Sequence, residues 1–355
     1  MYQSFAIKNF RCFRELEFGP LERVNLIAGT NNVGKTALLE AIFLLMGPNN
    51  PELSLVLNAS RGIQRYPIDP EKIWGWFFFN KRIDEIIELT STAQDNSRRS
   101  LQVRLVQPQR PQTVPSGENT LSETLGSLTT STGPRELIFH YRDADDKVGS
   151  SRAFVAPPNE IKTERAQIGP FPPGVFLSTR LQLPKDDIER FSNLERVRRQ
   201  DEVLAALRIL DQRLNRLALL VIGGEPVIGG DIGLEELVPL PFMGEGVGRL
   251  LSIVVSIANA SGGTVLIDEI ENGLHYSTMV KVWQAIAHTA RRSDAQVFAT
   301  THSWECIQAA HEAFATGETY DFRLHRLEWV DGEIKAMTYD QRTLATAIAT
   351  GLEVR

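Results

Sequence analysis

The sequence predicts an α/β protein in which buried strands alternate with helices around a mixed central sheet. Three observations support this fold. A glycine-rich loop at residues 29–36 lies between a short apolar strand and a helix rich in Ala and Leu. Two later runs, Gly263–Glu269 and Gln296–Ser303, each predict an apolar strand that ends in polar residues, and a predicted helix at 278–292 separates them. Because this alternation favours parallel strands, we expect the polar ends to meet at one edge of the sheet.

The composition is that of an ordinary globular chain. Its 355 residues are 42% hydrophobic and 23% charged, and the formal net charge of -6 gives no bulk argument for nucleic-acid binding. The two cysteines, Cys12 and Cys306, are too few for a disulfide framework. The first residues lack a signal-peptide core, and no apolar run is long enough to span a bilayer. We therefore expect a cytoplasmic protein with no membrane partner.

The first predicted functional element is the loop Gly29-Thr30-Asn31-Asn32-Val33-Gly34-Lys35-Thr36. It fits the pattern G-x-x-x-x-G-K-[ST], in which backbone N–H groups surround the phosphates of a nucleoside triphosphate. The predicted strand 24–27 precedes the loop and the predicted helix 35–46 follows it, so the helix N-terminus adds partial positive charge. We expect Lys35 to contact the β- and γ-phosphates and the Thr36 hydroxyl to hold Mg²⁺. The predicted ligands are thus ATP and Mg²⁺.

The second predicted functional element is the run Gly263–Glu269, an apolar strand that ends in two carboxylates. Hydrolysis needs a carboxylate that holds the metal and a group that positions water. We assign these roles to Asp268 and to Glu269, the latter as general base. The run Gln296–Ser303 predicts another buried strand with His302 at its end, where the imidazole would face the γ-phosphate and sense its charge.

The middle of the chain follows a different pattern. Apolar stretches at Ile83–Leu89, Leu101–Val106 and Leu137–Tyr141 predict strands, and the polar segment 107–135 predicts a mobile loop. Asp143-Ala144-Asp145 is expected to be a hairpin turn rather than part of a nuclease metal site.

Residues 186–222 show apolar side chains at three- and four-residue spacing and predict a helical segment, with two helices expected. Its arginines fit a solvated helix face better than a nucleic-acid patch. Binding of nucleic acid by this segment is the less favoured alternative and stays open. The glycine-rich stretch Gly223–Gly233 predicts a hairpin connector. Two strands over 322–338 turn at Asp331-Gly332, and a short helix ends the chain.

The order of these motifs resembles the ATP-binding-cassette (ABC) superfamily, and more narrowly the RecF/SMC/OLD branch of soluble P-loop ATPases. Within this branch, the chain resembles an OLD-like AAA family ATPase without a Toprim domain. The resemblance covers residues 1–48 and 175–355, which it implies form an ABC-type ATPase head, with 49–174 as a β-rich insert. It rests on Ile7–Phe13, Asn25–Ile27 with the phosphate loop, Leu39–Ile42, Asp268–His275 and Thr301–Ser303.

The same resemblance implies a signature loop that contacts the ATP of a partner subunit. Residues 243–249 occupy its place before a predicted helix at Leu250–Ala260, with Gly244, Glu245 and Gly246 as binding residues. Gly244 stands where the family usually has serine, and Arg249 is either a positive contact or a surface charge. Gln64 and Gln182 are the two candidates for the family's Q-loop glutamine.

The resemblance further implies a homodimer, or a higher oligomer, that closes around two ATP molecules. Each site would combine the 244–249 loop of one subunit with five residues of the other: Lys35, Thr36, Asp268, Glu269 and His302. We expect an ATPase that controls a separate effector, such as a nuclease, in DNA metabolism or phage defence. Only about fifty residues follow His302, so we expect no Toprim domain and no nuclease activity in this chain.

Two alternatives remain at this stage. One is the ATPase subunit of a membrane transporter, and the other is a scaffold or sensor that binds ATP and hydrolyses it slowly. The chain carries no Asn-Lys-x-Asp guanine-reading motif, which disfavours a dedicated GTPase.

Overall fold

The computed structural model describes residues 1–63, 65, 69–107, 134–167, 169–179 and 184–354. The predicted mobile loop at 107–135 lies almost wholly outside the described residues, and so do Gln64 and Gln182. Within the described ranges, no helix has the length and apolar character needed to cross a membrane.

The described residues form sixteen strands and nine α-helices. The strands are β1 (Tyr2–Phe10), β2 (Phe13–Phe18), β3 (Val24–Ala28), β4 (Ile87–Ala93), β5 (Arg98–Val106), β6 (Glu136–Arg142), β7 (Val148–Ala156), β8 (Glu160–Glu164), β9 (Gly174–Leu177), β10 (Arg216–Ile222), β11 (Glu225–Asp231), β12 (Val238–Pro239), β13 (Thr264–Ile267), β14 (Gln296–Thr300), β15 (Phe322–Val330) and β16 (Glu333–Tyr339). The helices are α1 (Lys35–Met46), α2 (Leu53–Ser60), α3 (Pro70–Trp74), α4 (Pro184–Arg196), α5 (Gln200–Leu207), α6 (Glu245–Asn259), α7 (Met279–Arg292), α8 (Trp304–Ala315) and α9 (Gln341–Thr350).

A six-stranded mixed sheet, in the order β16-β15-β3-β14-β13-β9, lies at the centre of the protein. All its neighbouring strands pair in parallel except β16, which forms an antiparallel hairpin with β15. Every residue of β3, β13 and β14 is buried, since both faces of the sheet are covered. The α/β prediction is confirmed, and the carboxyl ends of these three strands lie side by side, where open α/β sheets bind ligands.

Alternate residues of the central strands enter two different hydrophobic cores. Val265 and Ile267 pack with the apolar faces of α6, α7 and α8. Leu266 and Phe298 pack on the opposite side, with α1 and the aromatic side chains of β1 and β2. Because successive side chains of a strand point to opposite faces, the strands that carry the candidate site pack against both hydrophobic cores.

The predicted insert shares a sheet with the N-terminus of the chain. Strand β4 pairs with β1, and the seven-stranded antiparallel sheet runs in the order β2-β1-β4-β5-β6-β7-β8. Strands β4–β8 thus extend a sheet begun by β1 and β2, and their inward side chains join the core that contains α1. The turn at Asp143-Ala144-Asp145 joins β6 to β7, as expected for a hairpin.

The helical prediction for residues 186–222 is wrong at its end. Helices α4 and α5 account for the first part, but Arg216–Ile222 is strand β10, paired with β11 about a turn at Gly223-Gly224. The apolar spacing there fits a strand as well as a helix, and the following glycines allow the tight turn that brings β11 alongside. Most of the predicted glycine-rich connector is accordingly a strand.

Candidate nucleotide-binding site

The phosphate loop packs closely against the turn between β1 and β2. Gly34 has a φ of 100°, and a Cβ atom at this position would lie 2.7 Å from Cys12 Sγ and 2.9 Å from Phe13 Cζ. Glycine is therefore required both by the backbone conformation and by the contact. Helix α1 begins at the next residue, so its free N–H groups face the loop.

Lys35 is held by the carbonyl groups of its own loop. Its Nζ atom donates hydrogen bonds to Gly29 O at 2.6 Å and to Thr30 O at 3.0 Å. Burial lowers the pKa of Lys35, and the nearby carboxylates of Glu271, Asp268 and Glu269 act in the opposite direction. The ammonium group thus lies close to three acidic groups at the edge of the sheet.

The carboxylate of Asp268, at the end of β13, joins the end of β14 to the first turn of α1. The hydroxyl of Thr36 donates to both carboxylate oxygens at 3.1 Å, and the hydroxyl of Thr300 donates to Oδ1 at 2.7 Å. The residue is only 5% exposed. Burial raises the pKa of Asp268 even though both hydroxyl hydrogen bonds favour the ionised form. Thr300 was not predicted as a site residue, although its position at the end of β14 is a signal for it.

The hydroxyl of Thr36 and the carboxylate of Asp268 provide the donor set that Mg²⁺ prefers. Mg²⁺ commonly takes one or two protein oxygens and completes its octahedron with phosphate oxygens and water. Among the described residues, no group of three or more His, Cys, Asp or Glu side chains is placed to hold a metal by itself. These two residues therefore fit an ion that arrives with a nucleotide.

Glu269 follows Asp268 with an unusual backbone. Its φ is 48°, and its N–H donates to Thr300 Oγ1 at 2.8 Å. The side chain of Asn272 donates to Glu269 Oε2 at 2.7 Å. A left-handed conformation is uncommon for glutamate and turns the chain sharply after the strand. Glu269 lines the same cavity as Lys35 and Thr36.

His302 is paired with a glutamate that the sequence did not single out. Its Nδ1 atom lies 3.1 Å from Glu271 Oε1, and its backbone N–H donates to the same oxygen at 2.9 Å. The hydroxyl of Thr301 also donates to this oxygen at 2.8 Å. Glu271 therefore orients the segment that carries His302, and Glu271 Oε2 finds no hydrogen-bond partner within the described part of the chain.

The predicted signature segment begins its helix earlier than expected. Helix α6 starts at Glu245, not at Leu250, and Gly244 caps it with a φ of 105°. A Cβ atom on Gly246 would lie 2.6 Å from Gly273 O, so the helix rests on the turn that follows β13. Gly244 and Glu245 line a separate cavity of about 360 Å³, away from the one that contains Lys35.

Arg249 is buried, which excludes the second of the two alternatives for this residue, a surface charge. It is 5% exposed, and its guanidinium donates from Nη2 to Asp268 O at 2.7 Å and to Glu269 O at 3.3 Å. Its Nε atom has no hydrogen-bond partner in the described ranges. Arg249 therefore holds the backbone carbonyls of the predicted metal ligand, Asp268, and of the predicted general base, Glu269.

The cavity above the phosphate loop has a volume of about 890 Å³. Besides the loop and the carboxylates, it is lined by residues that sequence reasoning did not assign to the site, among them Asn58, Arg61, Ile63, Ile73, Trp76, Phe78, Asn80 and Lys81. Glu40 of α1 is completely buried and accepts hydrogen bonds from Arg11 Nε at 3.0 Å and from Arg61 Nε at 2.6 Å. This network fixes two arginines in the wall of the cavity.

Comparison with known proteins identifies the family. Residues 24–305 match the AAA_21 family of AAA domains, whose description also names the AbiEii toxin and a type IV toxin–antitoxin system. The chain belongs to this family. It is 25% identical over 333 residues to the "ATP/GTP phosphatase" of Helicobacter pylori strain 26695, and the alignment covers 87% of each chain.

Two solved structures share the fold of this AAA_21 member. An SMC head bound to the C-terminal winged-helix domain of ScpA matches with a TM-score of 0.51 and 13% identity, covering 98% of this chain and 99% of that one. An SMC head with an extended coiled coil, bound to the C-terminal domain of ScpA from Pyrococcus furiosus, gives 0.50 and 13%, covering 99% of each chain. The chain thus has the fold of these SMC heads, which is the ABC-type P-loop fold that the resemblance implies. The OLD-like assignment stays a prediction.

Proposed function

We propose that this chain binds ATP together with Mg²⁺ and hydrolyses it to ADP and phosphate. The observation that carries the proposal is the convergence of Lys35, Thr36, Asp268 and Glu269 on one cavity at the carboxyl ends of parallel strands. Lys35 and the α1 N-terminus supply positive charge, and the two acidic residues supply a metal ligand and a base. Membership of the AAA_21 family of AAA domains and similarity to a relative named "ATP/GTP phosphatase" support the same reaction.

Each residue has a separate role in the proposed reaction. Lys35 exchanges its bonds to Gly29 and Thr30 for bonds to the β- and γ-phosphates. Thr36 and Asp268 hold Mg²⁺, which neutralises charge on the phosphates when it is bound. Glu269, oriented by Asn272, accepts the proton of the attacking water. His302, which is oriented by its contact with Glu271, contacts the γ-phosphate.

Steady-state phosphate release tests this proposal. Lys35→Ala should abolish nucleotide binding, whereas Glu269→Gln should keep binding and lower kcat by about 100-fold or more, since a general base typically contributes about 10²–10⁴-fold. Lys162→Ala and Glu160→Gln, on the exposed strand β8, are the matched controls and should leave both quantities unchanged. Full turnover by Glu269→Gln would show that the base has been misassigned.

We also propose that nucleotide binding closes a homodimer, or a higher oligomer, that controls a separate effector in DNA metabolism or phage defence. The position of Gly244, Glu245 and Gly246 outside the Lys35 cavity supports a role across a subunit interface. The structural neighbours are SMC heads bound to a partner protein, and the family description names a toxin–antitoxin system. Any nuclease step would belong to the effector, and nucleic-acid binding by this chain stays open.

A further inference from the structure

The wall of the phosphate-loop cavity contains an exposed tryptophan that the proposed hydrolysis does not use. Trp76 is 59% exposed and lies in the short 3₁₀ turn Gly75–Phe77. It lines the same cavity of about 890 Å³ as Lys35 and Thr36. Single exposed aromatic residues are common on protein surfaces. This one differs because it borders the cavity in which a triphosphate is proposed to bind.

Contacts along the backbone fix Trp76 relative to the phosphate loop. The N–H of Arg11 donates to Phe77 O at 2.8 Å, and Arg11 Nη1 donates to Trp76 O at 3.3 Å. The Arg11 guanidinium carbon also lies 4.2 Å from the centre of the Phe77 ring. The next residue along the β1–β2 turn, Cys12, packs against Gly34 of the phosphate loop. A continuous set of contacts therefore joins the tryptophan to the loop.

The indole ring offers a surface suited to a flat aromatic ligand. Lys81 Nζ lies 4.0 Å from the ring centre, so one face holds a cation, while the residue as a whole is 59% exposed to solvent. Stacking of a nucleobase on an aromatic side chain is worth about 1–3 kcal/mol and tolerates any base, because every base has a π-face.

We propose that Trp76 is the stacking platform for the purine base of the nucleotide. This inference rests on the proposed function, since it places the base of a triphosphate whose phosphates contact Lys35 and the α1 N-terminus. Stacking holds the base without reading its hydrogen-bonding edge. The site therefore accepts adenine and guanine nucleotides with similar affinity.

Calorimetric titration of the full chain tests the proposal with three probes in the presence of Mg²⁺: AMP-PNP, GMP-PNP and inorganic tripolyphosphate. Trp76→Ala should weaken both nucleotides by about 5- to 150-fold and leave tripolyphosphate unchanged. Trp76→Phe keeps an aromatic face and should retain most of the affinity. Trp329→Ala is the matched control, because Trp329 is 57% exposed and lines a different cavity.

The outcomes separate this inference from the proposed function. If the unmodified protein binds nucleotides and Trp76→Ala binds them equally well, or loses tripolyphosphate to the same extent, the stacking role is wrong and the ATPase proposal stands. If the unmodified protein binds none of the probes, both fail. Should Trp76→Ala not fold, fluorescence of the unmodified protein and of Trp76→Phe decides: nucleotide must quench part of the emission of the unmodified protein, this quenching must be lost in Trp76→Phe, and tripolyphosphate must quench neither protein.

Discussion

Asp268 shows the conflict between stability and function at the scale of one residue. Its carboxylate must be ionised to hold a metal, yet it is 5% exposed. Hydrogen bonds from Thr36 and Thr300 compensate only part of the cost of burial, and the pKa remains raised. An uncompensated cost of burying a carboxylate is expected where the site binds a ligand that supplies the missing positive charge.

Asp268→Asn should therefore stabilise the free protein at neutral pH, by on the order of 1 kcal/mol. Because the folded-state pKa of Asp268 is raised, the ionised form costs stability above that pKa, and this cost disappears as the pH falls through it. The advantage of the variant should shrink as the pH is lowered from 7.5 towards 4. Urea unfolding at several pH values measures the difference.

The matched control is Asp145→Asn in the exposed turn between β6 and β7, which should change little. If Asp268→Asn is the less stable protein at neutral pH, the hydroxyl hydrogen bonds outweigh the burial penalty. In either case the variant should lose Mg²⁺-dependent nucleotide binding.

Single residues of the site could be named from the sequence only where a local pattern marks them. Lys35, Thr36, Asp268 and Glu269 were predicted because the loop and the strand end are contiguous in the chain. The contacts of Glu271 and Arg249 were not predicted from the sequence, because their partners lie about 20 to 30 residues away in the chain.

At the scale of elements, helix α6 and the turn after β13 act as one unit. Gly246 lets the first turn of α6 rest on Gly273, and Arg249 from the same helix donates to the Asp268 and Glu269 carbonyls. A movement of α6 would thus be transmitted directly to the backbone that carries the two carboxylates. This coupling connects the candidate interface loop with the candidate catalytic edge.

Two alanine substitutions in α6 should have opposite effects on stability. In Gly246→Ala the new Cβ meets Gly273 O at 2.6 Å, so the helix must shift, at a cost of about 1–3 kcal/mol. In Gly248→Ala the Cβ meets nothing within 4 Å, and the higher helix propensity of alanine should add up to about 1 kcal/mol. Denaturant unfolding of both variants measures the contrast, and equal stabilities would show that α6 does not depend on this contact.

Helices and strands were predicted well where the spacing of apolar residues fits only one kind of secondary structure. Helix α1 and the hairpin β15–β16 match the expectation because the glycine-rich loop and Asp331-Gly332 mark their ends. Strand β10 was mistaken for helix because seven apolar-rich residues satisfy both periods, and pairing with β11 decides between them.

At the scale of the whole molecule, the central sheet joins two cores and so couples the site to both layers. One core holds α6, α7 and α8, and the other holds α1 with the seven-stranded sheet. The cavity proposed to bind the nucleotide lies where the phosphate loop, the β1–β2 turn and the segment Ile73–Lys81 meet. Ligand binding there can bias the arrangement of both layers.

The dimer prediction belongs to this scale. Light scattering on Glu269→Gln with saturating ATP and Mg²⁺ should show the mass rising from 39.7 kDa to twice that value, because the uncleaved nucleotide holds the subunits together. Lys35→Ala should keep the single-copy mass under the same conditions, while Lys162→Ala in the Glu269→Gln background should dimerise. An unchanged mass for Glu269→Gln with nucleotide bound would exclude closure across ATP.

The sequence by itself determined the phosphate loop, the two acidic residues at a strand end and the α/β alternation, because each depends on neighbours within a few residues. Only the tertiary structure decided that β4–β8 continue the sheet of β1, that Arg249 is buried beneath the carboxylates, and that Trp76 borders the phosphate-loop cavity. These features arise from contacts between segments far apart in the chain, and no local periodicity encodes such contacts.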